Sequence, residues 1–123
     1  MGESVEIAID KAVPLVLLVF LATRCDGCDE FWRGFRDLES PLPASVSAVV
    51  VTRGPDSIDA AEVGRAASGV TQVPVVMSDR AWVDYRVSGY PFFVLVDPVA
   101  RVVIGETVGF GWSDVLSMVQ AAG

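Results

Sequence analysis

The chain contains no histidine. That absence removes Ser-His and Cys-His catalytic pairs and every histidine-ligated metal site in one step. Basic residues are scarce as well: 9 Lys and Arg stand against 16 Asp and Glu, for a net charge of −7. Clustered cations are what draw a protein to nucleic acid or anionic lipid, so this balance argues against both as partners. No long apolar run is present either. The longest, Val13 to Ala22, is interrupted by Pro14 and spans ten residues, against roughly 20 for a helix that crosses a bilayer. The opening Met1-Gly2-Glu3-Ser4 carries an acid where a secretory signal has a basic stretch. The expectation is a chain without a membrane span, either cytoplasmic or acting in the cell envelope with its targeting segment outside this sequence.

What is there points to a folded globule. An apolar fraction of 52% with 20% charged residues is outside the range of disordered chains. The 123 residues suffice for one hydrophobic core and not for two, so residues 1–123 are read as one domain, expected to be a monomer.

Leu15-Val16-Leu17-Leu18-Val19-Phe20-Leu21 is continuously apolar, short and bounded by Pro14 and by polar residues, the pattern of a strand buried on both faces. Cys28, Phe31, Trp32, Phe35 and Leu38 then recur at helical spacing opposite Asp29, Glu30, Arg33, Arg36 and Asp37, which predicts an amphipathic helix over about Cys25 to Leu38. Pro41 and Pro43 cannot continue it. A second strand is expected at Val46 to Thr52, then an Asp56-capped, alanine-rich helix ending near Gly69. Val73 to Met77 is a further apolar run, after which Ser78 or Asp79 can cap a short turn bearing Trp82 and Tyr85. Gly89-Tyr90-Pro91 breaks the chain before Phe92 to Val96. The turn at Asp97-Pro98 is too short for a crossover, so Arg101 to Val108 is expected to pair with that strand antiparallel. Ser113 can cap a last helix with Val115, Leu116 and Val119 inward.

The chemistry concentrates in Cys25-Asp26-Gly27-Cys28, the chain's two cysteines, at the junction of a buried strand and a helix start. Unpaired N–H groups and the positive end of the helix dipole favour a thiolate at the first sulfur. The second lies one turn on, close enough to resolve a mixed disulfide. Cys25 is then the nucleophile and Cys28 the resolving thiol of a dithiol-disulfide exchange. Three other readings stay open. A zinc half-site would have to recruit carboxylates, a structural disulfide across so short a loop would add little stability, and two cysteines can be plain core residues. Around the pair, Asp26, Asp29 and Glu30 disfavour a thiolate at Cys25 while Arg24 and Arg33 favour it, and the acids also fit the ordinary preference of carboxylates for a helix start.

With Lys11-Ala12-Val13-Pro14, the strand to Ala22, the Cys25–Cys28 turn, Val87-Ser88-Gly89-Tyr90-Pro91-Phe92-Phe93, Asp97-Pro98 through Arg101, and Gly109, nearly the whole chain resembles the thioredoxin superfamily. Within it, the sequence is similar to the bacterial TlpA-like branch of thiol-disulfide oxidoreductases. The resemblance implies an α/β thioredoxin fold: a central mixed β-sheet with helices on both faces and a helix-strand insertion, here around Asp56 to Met77, before the cis-proline strand. It places that cis proline at Pro91, packed against the cysteines, with the backbone of Tyr90 pairing with an extended substrate; Val73-Pro74 is a less well-placed candidate. It implies protein thiols or disulfides as substrates, a redox partner protein, and no cofactor beyond the two thiols.

Two positions depart from the family pattern. Its buried acid six residues before the first cysteine falls at Val19, leaving water or Asp26, Asp29 or Glu106 to take the Cys28 proton. Its aromatic residue before that cysteine is Arg24, so Arg24, Asp26 and Gly27 are expected to tune the pair. A peroxidase is disfavoured because Thr23 stands two residues before Cys25, not three. The non-enzymatic alternative is a thioredoxin-like adaptor that binds through Trp32, Trp82, Tyr85, Tyr90, Phe110 or Trp112, although most of these aromatics are expected in the core.

Overall fold

Large and β-branched apolar residues make up Leu15–Phe20, which forms β1, the middle strand of a five-stranded sheet. The structure, a computed structural model, describes residues 15–122, so the Lys11–Pro14 lead-in lies outside the described residues. The elements follow as α1 (Asp26–Arg36), β2 (Val46–Thr52), α2 (Ala60–Ala66), β3 (Val75–Met77), α3 (Asp79–Asp84), β4 (Phe92–Asp97), β5 (Val102–Val108) and α4 (Trp112–Ala122). The sheet order is β3-β2-β1-β4-β5. β1, β2 and β3 run parallel and β4 and β5 antiparallel to their neighbours, so the sheet is mixed as expected.

Because alternate strand residues face opposite ways, the sheet separates two apolar layers. Leu17 and Val19 of β1, Val46, Ala48 and Val50 of β2, and Phe93 and Leu95 of β4 meet Phe31, Trp32 and Phe35 of α1 and Val115 and Val119 of α4. On the other face Phe20, Val51 and Val94 pack on Trp82 of α3. Helices therefore cover both faces, and the insertion consists of α2 and the edge strand β3. Among the described residues no helix is long and apolar enough to cross a membrane.

Three boundaries differ from the sequence expectation, each for a local reason. α1 stops at Arg36, short of Leu38, because the Asp37 and Glu39 N–H groups fold back onto the Arg33 and Gly34 carbonyls and Leu38 turns left-handed at φ 56°. The α2 cap is Asp59, whose carboxylate accepts from the Ala61 N–H at 2.9 Å; Asp56 falls instead in a turn closed by Ser57 and Ile58 N–H groups on the Gly54 carbonyl. Ser113 does not cap the last helix. α4 begins one residue earlier, and Glu30 of α1 reaches across to accept the Trp112 N–H at 3.1 Å.

Elsewhere the local signals hold. Ser78 caps α3 by accepting from the Ala81 N–H at 3.1 Å. Asp97 holds the β4–β5 turn with one carboxylate oxygen on the Val99 and Ala100 N–H groups. Trp32 and Trp82 are buried, Tyr85 and Trp112 half-buried, and Tyr90 and Phe110 exposed.

Candidate active site

The cysteines sit where β1 hands over to α1. Cys25 is the N-terminal flanking residue of α1, with extended backbone and no side-chain cap, so the first-turn N–H groups are directed at its end of the helix. One turn on, the Cys28 N–H donates to the Cys25 carbonyl at 3.0 Å. The two sulfurs are joined in a disulfide, with Cα atoms 5.2 Å apart. Cys25 is half-buried whereas Cys28 is fully buried within the α1 face of the core. A partner approaching from solvent therefore meets Cys25 first.

Pro91 closes over this turn. The Tyr90–Pro91 peptide bond is cis. A β-carbon placed on Gly27 would lie 3.5 Å from Pro91 Cδ, so the Asp26-Gly27 turn and the proline ring are in near contact. The Pro91 carbonyl accepts from the Gly109 N–H at 3.1 Å, which brings the end of β5 to the same rim. Phe110, 89% exposed, follows directly. Tyr90, 48% exposed, sets its ring edge-on to Trp82 with centroids 5.7 Å apart. Val73-Pro74, by contrast, leads into β3 beside β2, with the Pro74 carbonyl accepting from the Val50 N–H.

The charged residues divide sharply. Arg24 is exposed, and its Nε donates to Glu62 Oε1 of α2 at 2.7 Å. That hydrogen bond and the carboxylate's charge raise the guanidinium's affinity for its proton. Reciprocally, the Arg24 hydrogen bond, and next the Thr23 hydroxyl, hold the Glu62 carboxyl below the usual carboxylate range. The cation next to Cys25 is thus already paired. Asp26 and Asp29 lie on the exposed side of α1, and Glu30 is committed to Trp112. Glu106 stands opposite Val94 in the β4–β5 register, on the α3 face of the sheet, away from Cys28. It is excluded as the proton acceptor for Cys28. Val19, where the family's buried acid would sit, is a fully buried core residue.

Beside the cysteine turn a cleft of about 340 Å³ opens between Tyr90 and the 53–62 segment, lined by Arg24, Arg53, Ile58, Glu62 and Trp82 among others. Arg53 lies over the Trp82 ring at 4.8 Å from its centroid. Sequence reasoning did not find Glu62, Arg53 or Gly109 as site neighbours, because each arrives from an element distant in the chain. Among the described residues, no group of three or more metal-ligating side chains is gathered.

No protein-family model and no curated protein matches the chain. Solved structures do. A thiol-disulfide isomerase from Corynebacterium glutamicum is similar at a TM-score of 0.64 and 18% identity, over 94% of this chain and 83% of that one. A protein described as the thiol:disulfide interchange protein DsbE from Chlorobium tepidum is similar at 0.60 and 25% identity, over 94% and 84%. The exposed lipoprotein thioredoxin Etrx1 from Streptococcus pneumoniae is similar at 0.66 and 17% identity, over 92% and 88%. These likenesses show the thioredoxin-like fold, and such neighbours agree with the TlpA-like resemblance read from the sequence.

Proposed function

We propose that this chain is a thiol-disulfide oxidoreductase that exchanges its Cys25–Cys28 disulfide with disulfides and thiols of protein partners. The observation that carries the reading is the asymmetry of the pair: one half-buried sulfur at a helix start and one fully buried sulfur a turn behind it, disulfide-bonded to each other. In the reducing direction the Cys25 thiolate attacks a substrate disulfide. A Cys25–substrate S–S bond forms, and the other substrate sulfur leaves as a thiolate. Cys28, having given its proton to solvent, then attacks Cys25 Sγ; the intramolecular disulfide forms and the second substrate thiolate departs. The substrate has gained two electrons and the chain has lost two. A redox partner protein reverses this, and run backwards the same steps oxidise a substrate dithiol.

Pro91 and Tyr90 form the substrate-facing rim in this reading, with the Tyr90 backbone available to an extended segment and exposed Phe110 beside it. Arg24, Asp26 and Gly27 tune the nucleophile. The domain over residues 1–123 acts as a monomer and uses no cofactor. Two measurements test the reading. Cys25 is expected to alkylate at least tenfold faster than Cys28 in the reduced protein, and Cys25→Ser to abolish reduction of a model protein disulfide. Equal alkylation rates with activity retained would overturn it. Full cellular function in a variant lacking both cysteines would instead favour the adaptor.

A further inference from the structure

Cys28 has to become a thiolate to resolve the mixed disulfide, yet it is fully buried in an apolar layer, and among the described residues no carboxylate is buried with it. Burial in such surroundings opposes a charged sulfur. The hydrogen bond that Cys28 Sγ does receive comes from the backbone: the Ala22 N–H donates to it from 3.5 Å. Ala22 lies two residues past the end of β1, beyond the Leu21 N–H that still donates to the Val51 carbonyl at 3.2 Å, and the β1 pairing register does not extend to it to fix its orientation. A side chain fixes it instead. The indole Nε1–H of buried Trp32, on α1 one turn beyond Cys28, donates to the Ala22 carbonyl at 3.1 Å.

We infer that Trp32 is a positioning residue for the resolving cysteine: by holding the Ala22 carbonyl it aims the Ala22 N–H at Cys28 Sγ and stabilises the sulfur as a thiolate. This rests on the exchange reading above. The same α1 carries both the sulfur and the indole, so the two hydrogen bonds clamp Ala22 to one rigid element. The device occupies the chemical gap left by Val19. It takes no proton, which goes to solvent, but it lowers the cost of the charge that remains, and hydrogen bonds to charged groups are the stronger ones. In resolution the Cys28 thiolate attacks Cys25 Sγ, the Cys25–Cys28 bond forms, and the Cys25–substrate bond breaks with the electron pair on the substrate sulfur. The substrate disulfide is the oxidant consumed.

Trp32→Phe keeps the ring in the core and deletes only the donor. In the Cys25→Ser background, the pH at which Cys28 becomes reactive to an alkylating agent is expected to rise in this variant. With Cys25 present, the mixed disulfide with a model protein substrate is expected to live about three to ten times longer, as the loss of part of one charge-assisted bond implies. Cys25 alkylation, measured with Cys28→Ser, is expected to be unchanged. An unchanged Cys28 profile and mixed-disulfide lifetime would overturn the inference, as would an equal loss at Cys25, the mark of a general packing defect. A second measurement does not depend on the variant folding. In the reduced Cys25→Ser protein, the Ala22 amide proton resonance is expected to shift downfield as Cys28 titrates, and an amide that ignores that titration contradicts the clamp. If unaltered protein formed a mixed disulfide but never resolved it, the exchange reading itself would fail, an outcome separate from any effect of Trp32→Phe.

Discussion

Arg24 Nε and Glu62 Oε1 meet at 2.7 Å, tying the residue before Cys25 to a helix residue 38 positions further along the chain. The pair sits on an exposed surface, so its contribution to stability is small. Its consequence is electrostatic: the cation next to Cys25 in sequence has its charge offset by the carboxylate.

Glu62→Gln leaves that guanidinium unopposed. A nearby positive charge favours a thiolate, so Cys25 is expected to alkylate about two- to threefold faster near neutral pH and at low salt, with its pH midpoint displaced downward. The gain is expected to shrink as ionic strength rises, since exposed charges are screened within about 10 Å at 0.1 M salt. Alkylation rates followed across pH at two salt concentrations check this. A slower Cys25 would contradict it.

A second carboxylate anchors the segment that borders the cleft. Asp79 accepts the Ser57 hydroxyl at 2.7 Å and stands 3.7 Å from Arg53. The Ser57 hydrogen bond, then the Gly54 backbone N–H, hold its carboxyl below the ordinary range. A carboxylate depressed in the folded state stabilises the fold at pH values above its unfolded pKa, and that contribution is lost as pH falls through its folded pKa. Asp79→Asn is therefore expected to lower the unfolding temperature at pH 7 and to melt like the parent protein at the acidic end, below the usual carboxylate range near 4. Thermal melts across pH measure it, and a difference that persisted undiminished in acid would contradict the assignment.

The helix that carries the cysteines is also held by close packing. A β-carbon on Gly34 would lie 2.7 Å from Cζ2 of Trp112, whose ring is fixed edge-on to Phe31 and Phe35 at 4.8 and 5.3 Å between centroids. Alanine in place of glycine inside a helix ordinarily gains about 1 kcal/mol. Overpacking a core typically costs about 1–3 kcal/mol. With Trp112 wedged between two rings the second effect wins, and Gly34→Ala is expected to lose about 1 kcal/mol net in denaturant unfolding. A stabilised variant would mean that α4 moves away freely.

These tests separate what one stretch of sequence reveals from what only the assembled chain does. The apolar run at Leu15, the cysteine turn and the cis Tyr90–Pro91 corner were legible because each is written in consecutive residues and, for the last, in a family pattern. Asp56 and Asp59 are equally good caps in isolation, and the turn closing on Gly54 decides between them. Ser113 lost its role to Glu30, which accepts the Trp112 N–H from 82 positions away, and no local rule could anticipate that. Glu106 appeared usable until the strand register put it on the far face of the sheet. The bond from Trp32 to Ala22 was hidden for a different reason: helical spacing marks Trp32 as core and says nothing of where its one donor points.

The central claim is that Cys25 attacks and Cys28 resolves. Its most direct test mixes reduced Cys28→Ser protein with a disulfide-bonded substrate protein and looks for the covalent complex. A mixed disulfide through Cys25 is expected to accumulate, withstand denaturant and be released by excess dithiol, while the unaltered chain carries the exchange through without accumulating it. A complex trapped instead by Cys25→Ser through Cys28, or none trapped by either variant, would contradict it.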